Sequence, residues 1–525
     1  MYIEPTTNIK ILRNVPLENT YDHTLYFANA SEQYTYFASM VYKNCTNYTY
    51  QRVNKGKMRI EGKADNYYNC NYLMFQNTNF GTKWFYAFIT SVEYVNNETT
   101  EITFEIDVIQ TWLFDAHVEE CFIDRQHSLS DAIGDNIVPE SLPLGEYVFN
   151  GYQPIDSSYA DMCVVIAIVD TTQRSFGQLY DGIYGGAMLL AYDCTDANFV
   201  SDINSKVDEY IQKPDAILSM YLVPKAVVGS IPTSHILPYG SSGFSSRFGG
   251  LTWKVSKQDT IDGYLPKNAK MYTYPYNYLH VDNSNGQDLV LRYEFFEDQT
   301  PYVTIIGNIT QPVSLVLRPS KYKGAPAEQF DTFATLNTES LQISNYPLCS
   351  WNVDAYEAWI AQNAIPVMGN AISGIAGAGV ASNFSANPQG MLANSVLGSV
   401  MNAVSANYAA SIQADICKGT INGGSVNVSR GKQQFYYGRA SVNRQYAKII
   451  DDFFTMYGYA VKSIGRLNTH GRPHWNYVKT VGCVLSGSVP SDDTKKIVSI
   501  YDRGITFWRH ANEVGNYELD NSLGQ

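Results

Sequence analysis

Apolar and polar residues alternate through residues 20–130, and the runs are rich in Tyr, Phe, Thr and Val with turn residues at short intervals. That pattern predicts strands near 35–42, 57–61, 71–76, 83–94 and 101–112. The last two, TKWFYAFITSVEYV and TEITFEIDVIQTWLF, pair as a hairpin around Asn96-Asn97-Glu98. Trp84, Phe85, Tyr86 and Trp112 sit inside these runs among Val and Ile, so they are expected to stabilise a core and not to bind a ligand.

Further along, Met162–Val169 is an unbroken apolar run and reads as a buried strand. Residues 200–212 carry Val200, Ile203, Val207, Tyr210 and Ile211 on one side of a helix, and Ile217–Val228 reads as a strand. Residues 239–250 are a Gly- and Ser-rich loop, and alternation returns over 270–318. Ser441–Tyr457 predicts an amphipathic helix with Val442, Tyr446, Ile449, Ile450, Phe453 and Tyr457 facing inward and Gly458 at its end. Strands are expected at Tyr459–Ile464, Tyr477–Ser486 and Gly504–His510, with a helix between the last two capped by Ser491 and ending at Gly504.

One stretch follows neither pattern. Residues 358–414 contain no Asp, Glu, Lys, Arg or His, and Gly, Ala and Ser supply 27 of these 57 positions. Met368, Ile372 and Ile375 recur at helical spacing, as do Leu392, Val396, Leu397, Val400, Met401 and Val404 after the turn Asn387-Pro388-Gln389-Gly390. Ile365, Val367, Val380, Phe384 and Met391 complete the apolar set. Two weakly polar helices are expected, near 365–382 and 390–414. At about 1.5 Å per residue they would be ~27 and ~37 Å long, close to the thickness of a bilayer's hydrocarbon core. Asn370, Asn394 and Asn402 interrupt them, so insertion would need several copies packed through small residues such as Gly374, Gly377 and Gly398. A buried helix pair and a plug or membrane-active loop both remain open.

Composition narrows the choice. A 525-residue chain holds more than one domain, and its net charge of −13 argues against a surface that grips phosphate backbones. The 41 Tyr outnumber the 37 Lys and Arg, which suits β-rich surfaces and subunit interfaces. Eight dispersed cysteines without a CxxC read as reduced thiols, and the first residues carry no signal-peptide pattern.

Candidate chemistry is sparse. Glu105 and Asp107 share a strand face at glycosidase-like spacing, but acidic alternation on a solvent-facing strand explains them as well. His470, His474 and Cys483 lack a fourth zinc partner at a recognised spacing. Gly374, Gly377 and Gly379 stand in the wrong order for a phosphate loop. Arg439, Arg444, Lys448, Lys462, Arg466, Arg472 and Lys479 form a modest basic group, read as a solvated face or a subunit contact. No catalytic residue, metal site or cofactor is expected, and the chain does not read as an enzyme.

Two pieces are distinctive: Tyr72–Phe88 (YLMFQNTNFGTKWFYAF) and Thr103–Asp115 (TFEIDVIQTWLFD), the latter followed by ECFIDRQH at 120–127. With Phe453–Tyr459, Asn476–Thr480, Gly504–Trp508 and Gly515–Tyr517, they resemble the distal tail (tail knob) protein of small short-tailed phages, podoviruses, of Gram-positive bacteria. The resemblance covers roughly 1–130 and 430–520. It implies a mainly β (α+β) fold, with β-barrel-like tail-tube domains, an inserted hydrophobic helical or loop hairpin, and assembly as a homohexameric ring. The divisions expected are 1–150, a tube-forming β domain completed by 431–525; 151–350, a β-rich middle; and 351–430, the neutral insertion. The implied partners are further copies of the chain, other tail proteins, DNA passing through the lumen, and the host membrane touched by 358–414. A receptor-binding tail-tip adhesin is the competing reading, and a peptidoglycan hydrolase is a third.

Overall fold

The computed structural model describes residues 6–323, 339–350, 420–421 and 434–523, apart from 49–55, 79–80, 157–158, 160, 170–177, 181–182, 186–187, 211–215, 238–250, 255–258, 298–301, 310–312, 345 and 347. The chain divides into two units, one of residues 1–145, 263–273 and 443–525, the other of 146–262 and 274–442. The first thus takes in both ends of the chain and one short segment from its middle.

A six-stranded antiparallel sheet begins the first unit, ordered Val41–Tyr48, Thr7–Arg13, Cys70–Asn77, Phe85–Asn96, Thr99–Ile106, Lys57–Glu61. It curls until its two edge strands face each other. Lys43 on one edge donates to the Glu61 carbonyl on the other and to the Tyr67 hydroxyl, which itself donates to Glu61. Side chains alternate between two cores. Ile9, Ile11, Leu73, Phe75, Ile102 and Phe104 fill the concavity, whereas Leu12, Tyr72, Met74, Tyr86 and Phe88 pack on the other face.

That second core is shared with a five-stranded sheet ordered His23–Leu25, Ile505–Trp508, Trp475–Val481, Cys121–Gln126, Tyr459–Gly465. His23–Leu25 runs parallel to Ile505–Trp508, tying residues near one end of the chain to residues near the other. The helices Arg444–Tyr457 and Ser491–Arg503 belong to this unit.

Three main sheets build the second unit. Met162–Ile168, buried at every position, lies between Met188–Asp193 and Ile217–Pro224. Leu251–Lys254, Tyr302–Gly307, Leu315–Ser320 and Leu341–Ile343 make the next. Tyr147–Pro154, Tyr436–Val442, Asn277–Asp282 and Asp288–Leu291 make the third. One apolar core joins them, including Val165, Leu190, Leu222, Leu279, Leu315 and Tyr437.

The architecture is mainly β, as expected, and several elements depart from the pattern. Residues 30–39, expected partly as a strand, form a helix, because Asn29 accepts from the Glu32 amide at 2.9 Å while Glu32 accepts from the Ala28 amide at 3.1 Å. The strand expected over 101–112 stops at Ile106, and Val108–Trp112 is a short helix. The strand expected over 217–228 ends at Pro224, with a single helical turn following. The helix expected from Ser441 begins at Arg444, because Ser441 and Val442 end a strand and Asn443 caps the helix by accepting from the Tyr446 amide. That helix buries Ala447, Ile450, Asp451, Phe454 and Thr455 and leaves Ile449 60% exposed, so its inward face is rotated from the apolar stripe. The later helix starts at Ser491 with no side-chain cap.

Candidate functional site

The aromatic motif converges on the short helix Val108–Trp112. Asp107 makes the turn into it, accepting from the Ile109 and Gln110 amides at 3.1 and 3.0 Å and from the Tyr72 hydroxyl at 2.8 Å. Burial raises its pKa to about 6, against the pull of those donors. Thr111 then ties the helix to the long strand, accepting from the Tyr86 amide and donating to the Tyr86 carbonyl.

Trp112 projects from the end of this helix and not from a strand. Its indole Nε1 donates to Asp493 at 2.9 Å, Phe85 meets it edge-on, and Lys83 Nζ lies 3.4 Å above its ring. Phe85 stacks on Phe75, Tyr86 packs against Phe37, and Trp84, just before its strand, lies against Tyr34 under Lys10. Phe85, Tyr86 and Trp112 thus form one brace between the curled sheet, the short helix and the helix Ser491–Arg503. The arrangement holds these elements in register, with the Trp112 indole and both Tyr86 backbone groups bonded to other parts of the chain.

A second polar centre lies beside it in the same unit. His127 is fully buried; Nδ1 accepts from the Tyr477 amide at 2.8 Å and Nε2 reaches the Thr455 carbonyl at 3.0 Å. Burial, with Arg472 and Arg125 nearby, lowers its pKa to about 3. The inserted segment 263–273 is held to the helix Arg444–Tyr457 through Asp451. Its carboxylate accepts from the Tyr264 hydroxyl, the Lys267 and Asn268 amides and the Asn268 side chain. Lys270 of the same segment and Arg125 both pair with Glu140, and the Lys270 and Glu140 side chains are each 2% exposed. Little along the chain marks this centre, since its residues come from around 125–140, 263–273 and 451–477. The polar Asp451 and Thr455 at i, i+4 beside Ala447 and Ile450 are the one local hint.

The other candidates resolve separately. Glu105 is exposed and pairs with Lys496, while Asp107 is a buried cap, so the two carboxylates face different surroundings. His474 Nδ1 lies 2.8 Å from Glu513, His470 stacks on Tyr26, and Cys483 is buried. Among the described residues no group of His, Cys, Asp or Glu could hold a metal ion. The seven basic residues do not form one patch. Arg439 belongs to the second unit, Arg472 is buried with Nη1 donating to the Asn521 carbonyl, and Arg466 and Lys479 pair with Glu120 and Asp124. Residues 358–414, from Ile365 to Val404 of the apolar set, lie outside the described residues. No helix among the described residues is long and apolar enough to cross a membrane.

A curled sheet closed against a second sheet, with its aromatic groups spent on bracing, suits a structural role, and the family matches put that role in the phage-tail class. The chain belongs to the family of the tail knob protein gp9 of Bacillus phage phi29, whose C-terminal domain description matches residues 244–522. Residues 5–117 match a second family, the caudoviral major tail protein N-terminus. Among its relatives, the tail knob protein gp9 of Bacillus phage PZA is 27% identical and that of Bacillus phage phi29 is 26% identical, each aligned over 98% of both chains. The tail knob protein gp12 of bacteriophage C1 shares the fold, with a TM-score of 0.60 at 13% identity over 98% of this chain and 99% of that one. The chain is a structural virion protein of a podophage tail knob.

Proposed function

We propose that copies of this chain close into a ring, six-fold, that forms the distal tail tube through which phage DNA leaves. The observation that carries this reading is the match of residues 5–117 to a major tail protein N-terminus, because that span contains the whole curled sheet from Thr7 to Ile106. Closed rotational symmetry is the common way for one chain to enclose a channel. Six copies would carry −78, six times −13, and acidic groups on the lumen would let DNA slide instead of sticking. In this reading the ring joins other tail proteins, is assembled in the host cytoplasm and has no enzymatic role. Trp84, Phe85, Tyr86 and Trp112 serve its tube domain as structural residues.

The neutral stretch 358–414 closes the lumen and enters the host membrane once released. Light scattering should find a discrete species of six 58.8 kDa chains, and negative-stain images should show rings with a central channel. A stable monomer at high concentration in every salt and pH tried would overturn the ring. For the loop, the test is dye release from liposomes under mildly acidic and mildly denaturing conditions. Wild type should leak; Val400→Asp, placing a charge that costs about 2.5–3.5 kcal/mol at a helix centre, and a 358–414 deletion should not. Equal leakage by all three, or none by any, would remove the membrane role.

A further inference from the structure

We draw no further inference here: the strongest candidate, the exposed apolar row that Val481, Phe122 and Ile464 form across three adjacent strands of the first unit's five-stranded sheet, is an unpartnered face, and nothing in the structure shows what covers it.

Discussion

In the first unit Asp107, His127, Lys270, Asp451 and Arg472 are all buried, whereas among the described residues of the second unit no Asp, Glu, His, Lys or Arg is. The first unit is assembled from three segments far apart in sequence, and the buried His127, Lys270 and Asp451 sit where those segments meet. Glu140 joins Arg125 to Lys270 of the inserted segment and accepts from the Ala460 amide, and Asp451 holds Tyr264, Lys267 and Asn268. Such groups are costly unless every donor and acceptor is met, so they accept one arrangement and reject near alternatives. The second unit relies on apolar strands such as Met162–Ile168, which fill space and tolerate small changes.

The largest effect should come from stranding charge. Glu140→Ala leaves the buried Lys270 and the nearly buried Arg125 without their acid and should cost about 3–5 kcal/mol. Hydrogen exchange resolved along the sequence should show residues 121–126, 263–273 and 444–465 losing protection together. Retained protection there would mean the charges are not what fastens the insertion.

Trp112→Ala should cost about 3–5 kcal/mol, since it removes a large buried ring and leaves Asp493 without the indole donor. Chemical denaturation monitored on the first unit is the measure. Unchanged stability would remove the brace as a structural element.

Acid should act on the first unit through His127. Its folded pKa, about 3, is below the ordinary value of 6.5 for the unfolded chain, because burial and then Arg472 and Arg125 oppose the imidazolium. The unfolded chain therefore binds more protons between these pH values. The contribution is complete above 6.5 and is lost as pH falls toward about 3. Asp107, Asp131 and Asp451 act in the opposite sense, since burial raises each of them and favours the folded state in acid. The informative quantity is the difference between proteins: His127→Gln should flatten the acid-side fall in melting temperature relative to wild type. Parallel curves would contradict the assignment.

The smallest effect belongs to the second unit, where Ile166→Val in its central strand should cost only about 0.5–1.5 kcal/mol. A cost as large as that of Glu140→Ala would erase the contrast between the two units.

Much of the secondary structure was legible along the chain. The hairpin through Phe85–Asn96 and Thr99–Ile106, the strand Met162–Ile168 and the helices ending at Gly458 and Gly504 follow from periodicity and end signals within a dozen residues. The resemblance to tail knob proteins was carried by the order and spacing of aromatic residues. Where local signals competed, the sequence misled: the alternation around Tyr34 and Tyr36 hid a helix that Asn29 and Glu32 cap, and Asp107 ended a strand that its neighbours appeared to continue.

Other features had no local signature. Ile449 looked inward-facing and is exposed, because its helix presents Asp451 to the segment 263–273, which periodicity within the helix cannot register. In the second unit Phe149 and Tyr152 cover Gly438, nearly 290 residues away, and a glycine in a strand says nothing about which rings will lie over it. Periodicity records what a residue does to its nearest neighbours, so the sequence determined the strands, most helices and their ends. Burial of charge and the shape of a surface depend on which distant segment arrives opposite, and that was decided only when the sheets had closed.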